Sequence, residues 1–230
     1  MSSAIGPVVP AYFHPALAPA DWAALARVAS SLRLVVLNVA NGPGDVPDHA
    51  FYDVVRDAQS AGAPFAGYVD TDYGKKNADE VLRELQRYWE WYGVGNVFLD
   101  RCASGIEHLP RYREIAVHCR AFGASIVALN HGTHPAPEYA EHADLLGTFE
   151  GALPAFLDLD VPRWVHNLPA SRFFHLLYST PVEVAGPINA LAAERNVGSL
   201  YRTERTPPNP WAGLPADFPR APSPTVGWPR

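Results

Sequence analysis

The chain has 230 residues, 48% of them hydrophobic and 18% charged, with a formal net charge of −6. That mix supports a sizeable core and excludes a disordered chain. The acidic balance disfavours nucleic acid as a partner, and no apolar stretch approaches the ~20 residues of a membrane span.

The amino terminus, Met1 to Pro7, shows no basic region followed by an apolar run. As it stands this predicts a cytoplasmic protein, or a secreted one if a leader has been removed. Val8 to His14 predicts the first strand, and the stretch from Pro19 to Ala29 the first helix. Leu34 to Asn38 is the second strand; Asp48 to Ser60 is a helix, closed by Gly62. Phe65 to Thr71 is the third strand. Asn77 to Tyr92 then carries Val81, Leu85, Tyr88 and Tyr92 at helical spacing, with charges between them. Asn96 to Asp100 is the fourth strand, Leu109 to Phe122 a helix ending at Gly123, and Ser125 to Asn130 the fifth strand. Leu145 to Glu150 is the sixth, after a short connection, and the stretch from Leu153 to Asn167 is irregular. Phe173 to Tyr178, a helix over Val182 to Arg195, and Ser199 to Thr203 complete the series. The proline-rich segment 206–230 reads as an extension lying over the fold.

Short runs rich in Val, Leu, Ile, Phe and Tyr, alternating with helical stretches, are the pattern of buried parallel strands. Repeated eight times in one domain, they predict a (β/α)₈ TIM barrel. An open doubly wound sheet is the alternative, although no Gly-x-Gly-x-x-Gly opens a helix here. Neither cofactor nor metal is predicted: His14 and His131 could meet a metal with Asp100, but no His-x-His or His-Glu-x-x-His spacing occurs. Cys102 and Cys119 lack metal-motif spacing and read as reduced, structural residues. Ser104 does not sit in a nucleophile elbow.

In a TIM barrel the C-terminal strand ends converge on one mouth. The residues placed there are Tyr12, His14, Asn38, Tyr68, Asp70, Thr71, Asp100, Arg101, Asn130, His131, Glu150, Tyr178 and Tyr201. Asp100 and Glu150 each directly follow an apolar run, which raises paired-carboxylate chemistry such as sugar hydrolysis. A structural ion pair with Arg101 is the plainer reading of either acid. Asp70 and Asp72 could form a second acidic group, while Asp72 to Lys76 also reads as a solvated loop. Aromatic platforms beside hydrogen-bonding groups suit a sugar, with its apolar faces and polar edges, and suit other polar organic ligands equally.

In order along nearly the whole chain, the segments Val9 to Pro15, Asn38 to Gly44, Gly67 to Gly74, Val97 to Asp100, Leu129 to Thr133, Thr148 to Gly151 and Asn209 to Pro215 resemble the spherulin-4 (spherulation-specific family 4) proteins. The resemblance implies a TIM barrel of a group that includes microbial glycoside hydrolases acting on galactosamine-containing polysaccharides, with Asp100 and Glu150 in the catalytic set. Two positions depart from it. The family's hydrolases usually carry Asp-Glu at the end of strand four, where this chain has Asp100-Arg101, and His131 stands where Pro is more frequent. A guanidinium in place of an acid changes the local charge by two. Arg101 is expected to point into the mouth and to depress the pKa of Asp100 or Glu150, making either a poorer general acid.

Three functions follow. The first is a glycoside hydrolase-like enzyme on galactosamine-type glycans, with Asp100 and Glu150 sharing the nucleophile and acid/base roles in an order left open. The second is an intracellular tailoring enzyme of specialised metabolism (cyclase, isomerase or dehydratase) on a small organic substrate, with Arg101 holding an oxyanion or carboxylate. The third is a non-catalytic carbohydrate-binding barrel. Fold alone does not separate them.

Overall fold

The computed structural model of the protein describes residues 6–219. Eight parallel strands pair in sequence order: β1 (Val8–Ala11), β2 (Leu34–Leu37), β3 (Phe65–Asp70), β4 (Asn96–Asp100), β5 (Val127–Asn130), β6 (Leu145–Ala152), β7 (Phe173–Tyr178) and β8 (Ser199–Arg202). At the seam between the first and last strands, the Val8 N–H donates to Ser199 Oγ at 2.8 Å. The sheet thus curls into a nearly closed barrel, and the open-sheet alternative falls. The strands are almost wholly apolar because both faces are covered, by helices outside and by the packed interior within. β1, β2, β3 and β8 stop one to three residues short of the ends expected from the apolar runs, and β5 begins two residues later. β6 runs on to Ala152.

The outer layer holds α1 (Pro19–Arg27), α2 (Ala50–Ser60), α3 (Ala78–Tyr92), α4 (Leu109–Ala121), the short α5 (Leu153–Leu157) and α6 (Ala185–Glu194). α3 shows why such a segment is helical. Asn77 caps it, accepting from the Asp79 N–H, and Gly93 ends it at φ +65°. Its inward face places Tyr88 against the backbone of Gly67; a Cβ there would lie 2.5 Å from the ring. Gly67 therefore faces out, and its neighbour Tyr68 faces in. The barrel interior is filled by aromatic rings, with Phe98 6.4 Å from Tyr68 and 5.8 Å from Phe174 between centroids. Where the sequence pattern is irregular, after β6, only five residues of α-helix form, followed by 3₁₀ turns at Arg163–Asn167 and Ala170–Arg172.

Beyond β8 the chain lies back over the barrel. The Leu214 N–H donates to Asp21 Oδ2 at 3.1 Å, Arg202 pairs with Asp217, and Trp211 packs on Tyr178 and Tyr201. The part of the expected extension over 220–230 lies outside the described residues.

Candidate active site

The ends of six strands and the C-terminal segment build one cleft of about 550 Å³ at the mouth. Tyr12 follows β1. Asn38 follows β2, and its Oδ1 accepts the Gly42 N–H at 3.0 Å, pinning the turn that presents Asn41. Tyr68 and Asp100 come from β3 and β4, Glu150 from β6 and Tyr178 from β7. At the centre is Asn130 of β5. Its Nδ2 donates to Asp100 Oδ1 at 2.7 Å and to Glu150 Oε2 at 2.6 Å. Laid end to end, those two distances put the two oxygens no more than about 5.3 Å apart, short of the roughly 6.5–9.5 Å of an inverting glycosidase pair and compatible with the close approach of a retaining one. The second oxygens are also held: Tyr68 Oη–H donates to Asp100 Oδ2 at 2.9 Å, and Trp211 Nε1–H to Glu150 Oε1 at 3.3 Å.

Glu150 faces this cleft because β6 is irregular. Gly147 faces inward: a Cβ on it would meet Asn130 Oδ1 at 2.3 Å and the Phe174 ring at 2.5 Å. Strict alternation would then point Glu150 outward. Instead the register with β7 slips between Gly147 and Phe149. Two consecutive residues face the outer layer: Thr148 Oγ1 bonds His175 Nε2 at 2.9 Å, and the Phe149 ring packs on His175 and Phe156. That bulge restores the inward phase at Glu150.

The electrostatics of the pair follow from its depth. Burial, then the neighbouring Asp100, pushes Glu150 from the ordinary 4.5 to about 7, against the pull of the Asn130 and Trp211 hydrogen bonds. Asp100 is also raised by burial, but three donors oppose the rise: the Arg101 backbone N–H, Tyr68 and Asn130. Asp100 thus has three donors supporting its charged form, against two for Glu150.

Several residues expected at the mouth lie elsewhere. Arg101 does not enter the cleft. Its guanidinium turns along the rim, 2.8 Å from Asp70 Oδ2 and 2.6 Å from Asp72 Oδ1, over the Tyr73 ring. The expectation that it would lower the pKa of the acid pair is corrected accordingly, since its charge is spent on Asp70 and Asp72 and both catalytic candidates are raised. Those pairings also take Asp70 out of the cleft. His14 turns to Asp48, 3.0 Å away, and packs on Phe51. Thr71 is fully buried beneath the rim. His131 is buried with Nδ1 3.0 Å from Ala103 O, its ring on Tyr139; burial holds its pKa down at about 4. Tyr201 is buried behind Trp211. Asn130 serves the carboxylates rather than an open wall.

Sequence reasoning missed Trp211 and Asn209 as cleft residues. Trp211 and Asn209 lie beyond the last strand, where no strand-end rule reaches; the signal was the segment Asn209 to Pro215 itself.

Because only the Arg101 backbone faces Asp100, Arg101→Ala should leave kcat within about threefold of wild type. Its pairs are partly exposed and together should cost no more than ~1–2 kcal/mol of stability in a thermal melt. A fall of kcat/KM beyond about tenfold would put the guanidinium back in the reaction.

The fold and site define a (β/α)₈ barrel protein with an acid pair in an aromatic-walled cleft at the C-terminal strand ends. The chain belongs to spherulation-specific family 4, whose sequence pattern matches residues 7–222. It is similar to spherulin-4 of Physarum polycephalum, 25% identical over 211 residues; these make up 86% of this chain and 62% of that protein. Its fold is similar to that of Sph3 from Aspergillus clavatus, solved in complex with GalNAc, with a TM-score of 0.78 at 22% identity over 95% of this chain and 96% of Sph3. A chitinase from Chromobacterium violaceum is more distant, with a TM-score of 0.50 at 18% identity over 76% of this chain and 69% of the chitinase.

Proposed function

We propose that the protein is a retaining glycoside hydrolase acting on galactosamine-containing glycans. The observation that carries this is the single Asn130 amide nitrogen held between Asp100 and Glu150, which keeps the two carboxyls close together, as a nucleophile and acid/base pair requires. Asp100, bonded by Tyr68, Asn130 and a backbone N–H, is the ionised group that attacks the anomeric carbon. Glu150 carries the proton to the leaving oxygen, then takes one from water when the glycosyl-enzyme is hydrolysed. Tyr12, Tyr178 and Trp211 supply faces for the sugar ring. The family membership and the GalNAc bound to the similar barrel of Sph3 support the choice of sugar. The tailoring-enzyme reading loses its central residue, because the Arg101 guanidinium is tied to Asp70 and Asp72.

The test is incubation with N-acetylgalactosamine and galactosamine oligomers, with product anomers followed by NMR. Release of shorter oligomers with the configuration retained is the expected result; no cleavage of any of them, or inversion, would overturn the proposal.

The pH profile has a fixed sign. Glu150 must be protonated in the first step, so kcat/KM should fall as pH rises through about 7. The same shift acts on stability. Between about 4.5 and about 7 the folded chain keeps a proton that the unfolded chain has lost, so this group's contribution weakens as pH rises through that window. A rate that climbs steadily from pH 6 to 9 would contradict the assignment.

A further inference from the structure

The turn after β4 is held by a buried chain of hydrogen bonds that the mechanism above does not use. The Ala103 N–H donates to Tyr112 Oη at 2.9 Å. Tyr112 Oη, on α4, lies 2.9 Å from Thr71 Oγ1. Thr71 Oγ1 in turn reaches the carbonyl oxygens of Asp100, at 3.0 Å, and Arg101, at 2.9 Å. One proton order satisfies all of it. The amide gives to the phenol, the phenol to the threonine hydroxyl, and that hydroxyl to the two carbonyls. Two further bonds tie the same turn to β5 and its loop, Cys102 N–H to Asn130 O at 2.9 Å and His131 Nδ1 to Ala103 O at 3.0 Å. Thr71 and Tyr112 are both fully buried.

The turn needs this hold. Arg101 sits at φ +49°, a left-handed conformation that a long side chain seldom adopts and that the surroundings must impose. That turn is tied to Asp100 directly, through Thr71 Oγ1 on the Asp100 carbonyl at 3.0 Å, and it sets the Arg101 backbone N–H where it favours the ionised carboxylate. We propose that Tyr112 is a positioning residue for Asp100: through Thr71 it locks the turn that follows the catalytic strand. The inference rests on the nucleophile role assigned to Asp100.

Loosening the lock withdraws a donor from Asp100. The carboxylate form loses support, so the Asp100 titration should move to higher pH. The other charged and titratable groups facing it are Tyr12, Tyr68, Asp70, Glu150 and Cys102, all unaltered in the variants below.

The experiment is a ¹³C NMR titration of the aspartate carboxyls in wild type, Tyr112→Phe, Thr71→Val and Thr71→Ser, with Asp100→Asn to assign the signal. Tyr112→Phe and Thr71→Val should raise the Asp100 titration by about half a pH unit or more, and Thr71→Ser, which keeps the hydroxyl, should not. On a cleaved oligomer, kcat should drop about tenfold in the first two with KM unchanged. If those variants merely melt earlier, with the titration and the kinetic split of wild type, Tyr112 only supports the fold and the proposal fails. Thr71→Ser behaving like Thr71→Val would also overturn it. The titration needs no turnover, so a protein that cleaves none of the glycans would refute the hydrolase reading and still judge the role of Tyr112.

Discussion

Glu150→Gln should lower kcat on a galactosamine glycan by roughly 10²–10⁴-fold, the range that a positioned general acid contributes. The substitution keeps the size of the side chain and an oxygen for the Asn130 amide, which donates to Glu150 Oε2 at 2.6 Å. It removes the proton that the proposed mechanism passes to the leaving group. KM should stay within a few-fold, because the walls of the cleft are untouched. The melting temperature should hold or rise above pH 7, where the wild-type group is forced to ionise in a buried site. Steady-state kinetics at pH 6 and a thermal melt at pH 8 check both halves. Loss of activity with a collapsed melt would attribute the effect to folding and leave the acid role unsupported.

Gly147→Ala carries the second large effect, and it joins the core to the site. An added Cβ would meet Asn130 Oδ1 at 2.3 Å and Phe174 Cζ at 2.5 Å. Phe174 is buried among the interior rings and Asn130 is held by both carboxylates, so neither can yield freely. Overpacking of this kind costs about 1–3 kcal/mol, or on the order of 2–4 °C of melting temperature per kcal/mol in a domain of this size. The displaced amide would also unseat the bridge between Asp100 and Glu150, and kcat should fall by at least about tenfold. Calorimetry and kinetics on the same preparation test this; a variant with wild-type stability and rate would mean that β6 and Asn130 part easily.

The make-up of the mouth was partly legible in the chain. Asp100 and Glu150 each end an apolar run, and a run buried on both sides delivers its last residue to the strand end. The phase within that end was not legible for every residue. His14 and Thr71 occupy equivalent positions along their runs, yet each finds its partner away from the cleft: Asp48 and Tyr112. Those partners are distant in sequence, and nothing in a local pattern encodes which of two faces such a side chain takes.

The sequence by itself determined the barrel. Alternation of short apolar runs with helical stretches, eight times over, leaves few ways to bury both faces of every strand, and a closed parallel sheet satisfies all of them. Tertiary structure decided the site. Arg101, adjacent to Asp100 in the chain, is drawn to Asp70 and Asp72 on β3 and its loop, because two carboxylates there answer one guanidinium. Trp211, remote from every strand end, reaches Glu150 because the segment after β8 folds back over the mouth. Glu150 itself faces inward only through the register slip at Gly147/Phe149, which His175 and Phe156 stabilise from another strand and a helix. A bulge is a property of two paired strands, so no single run of residues specifies it.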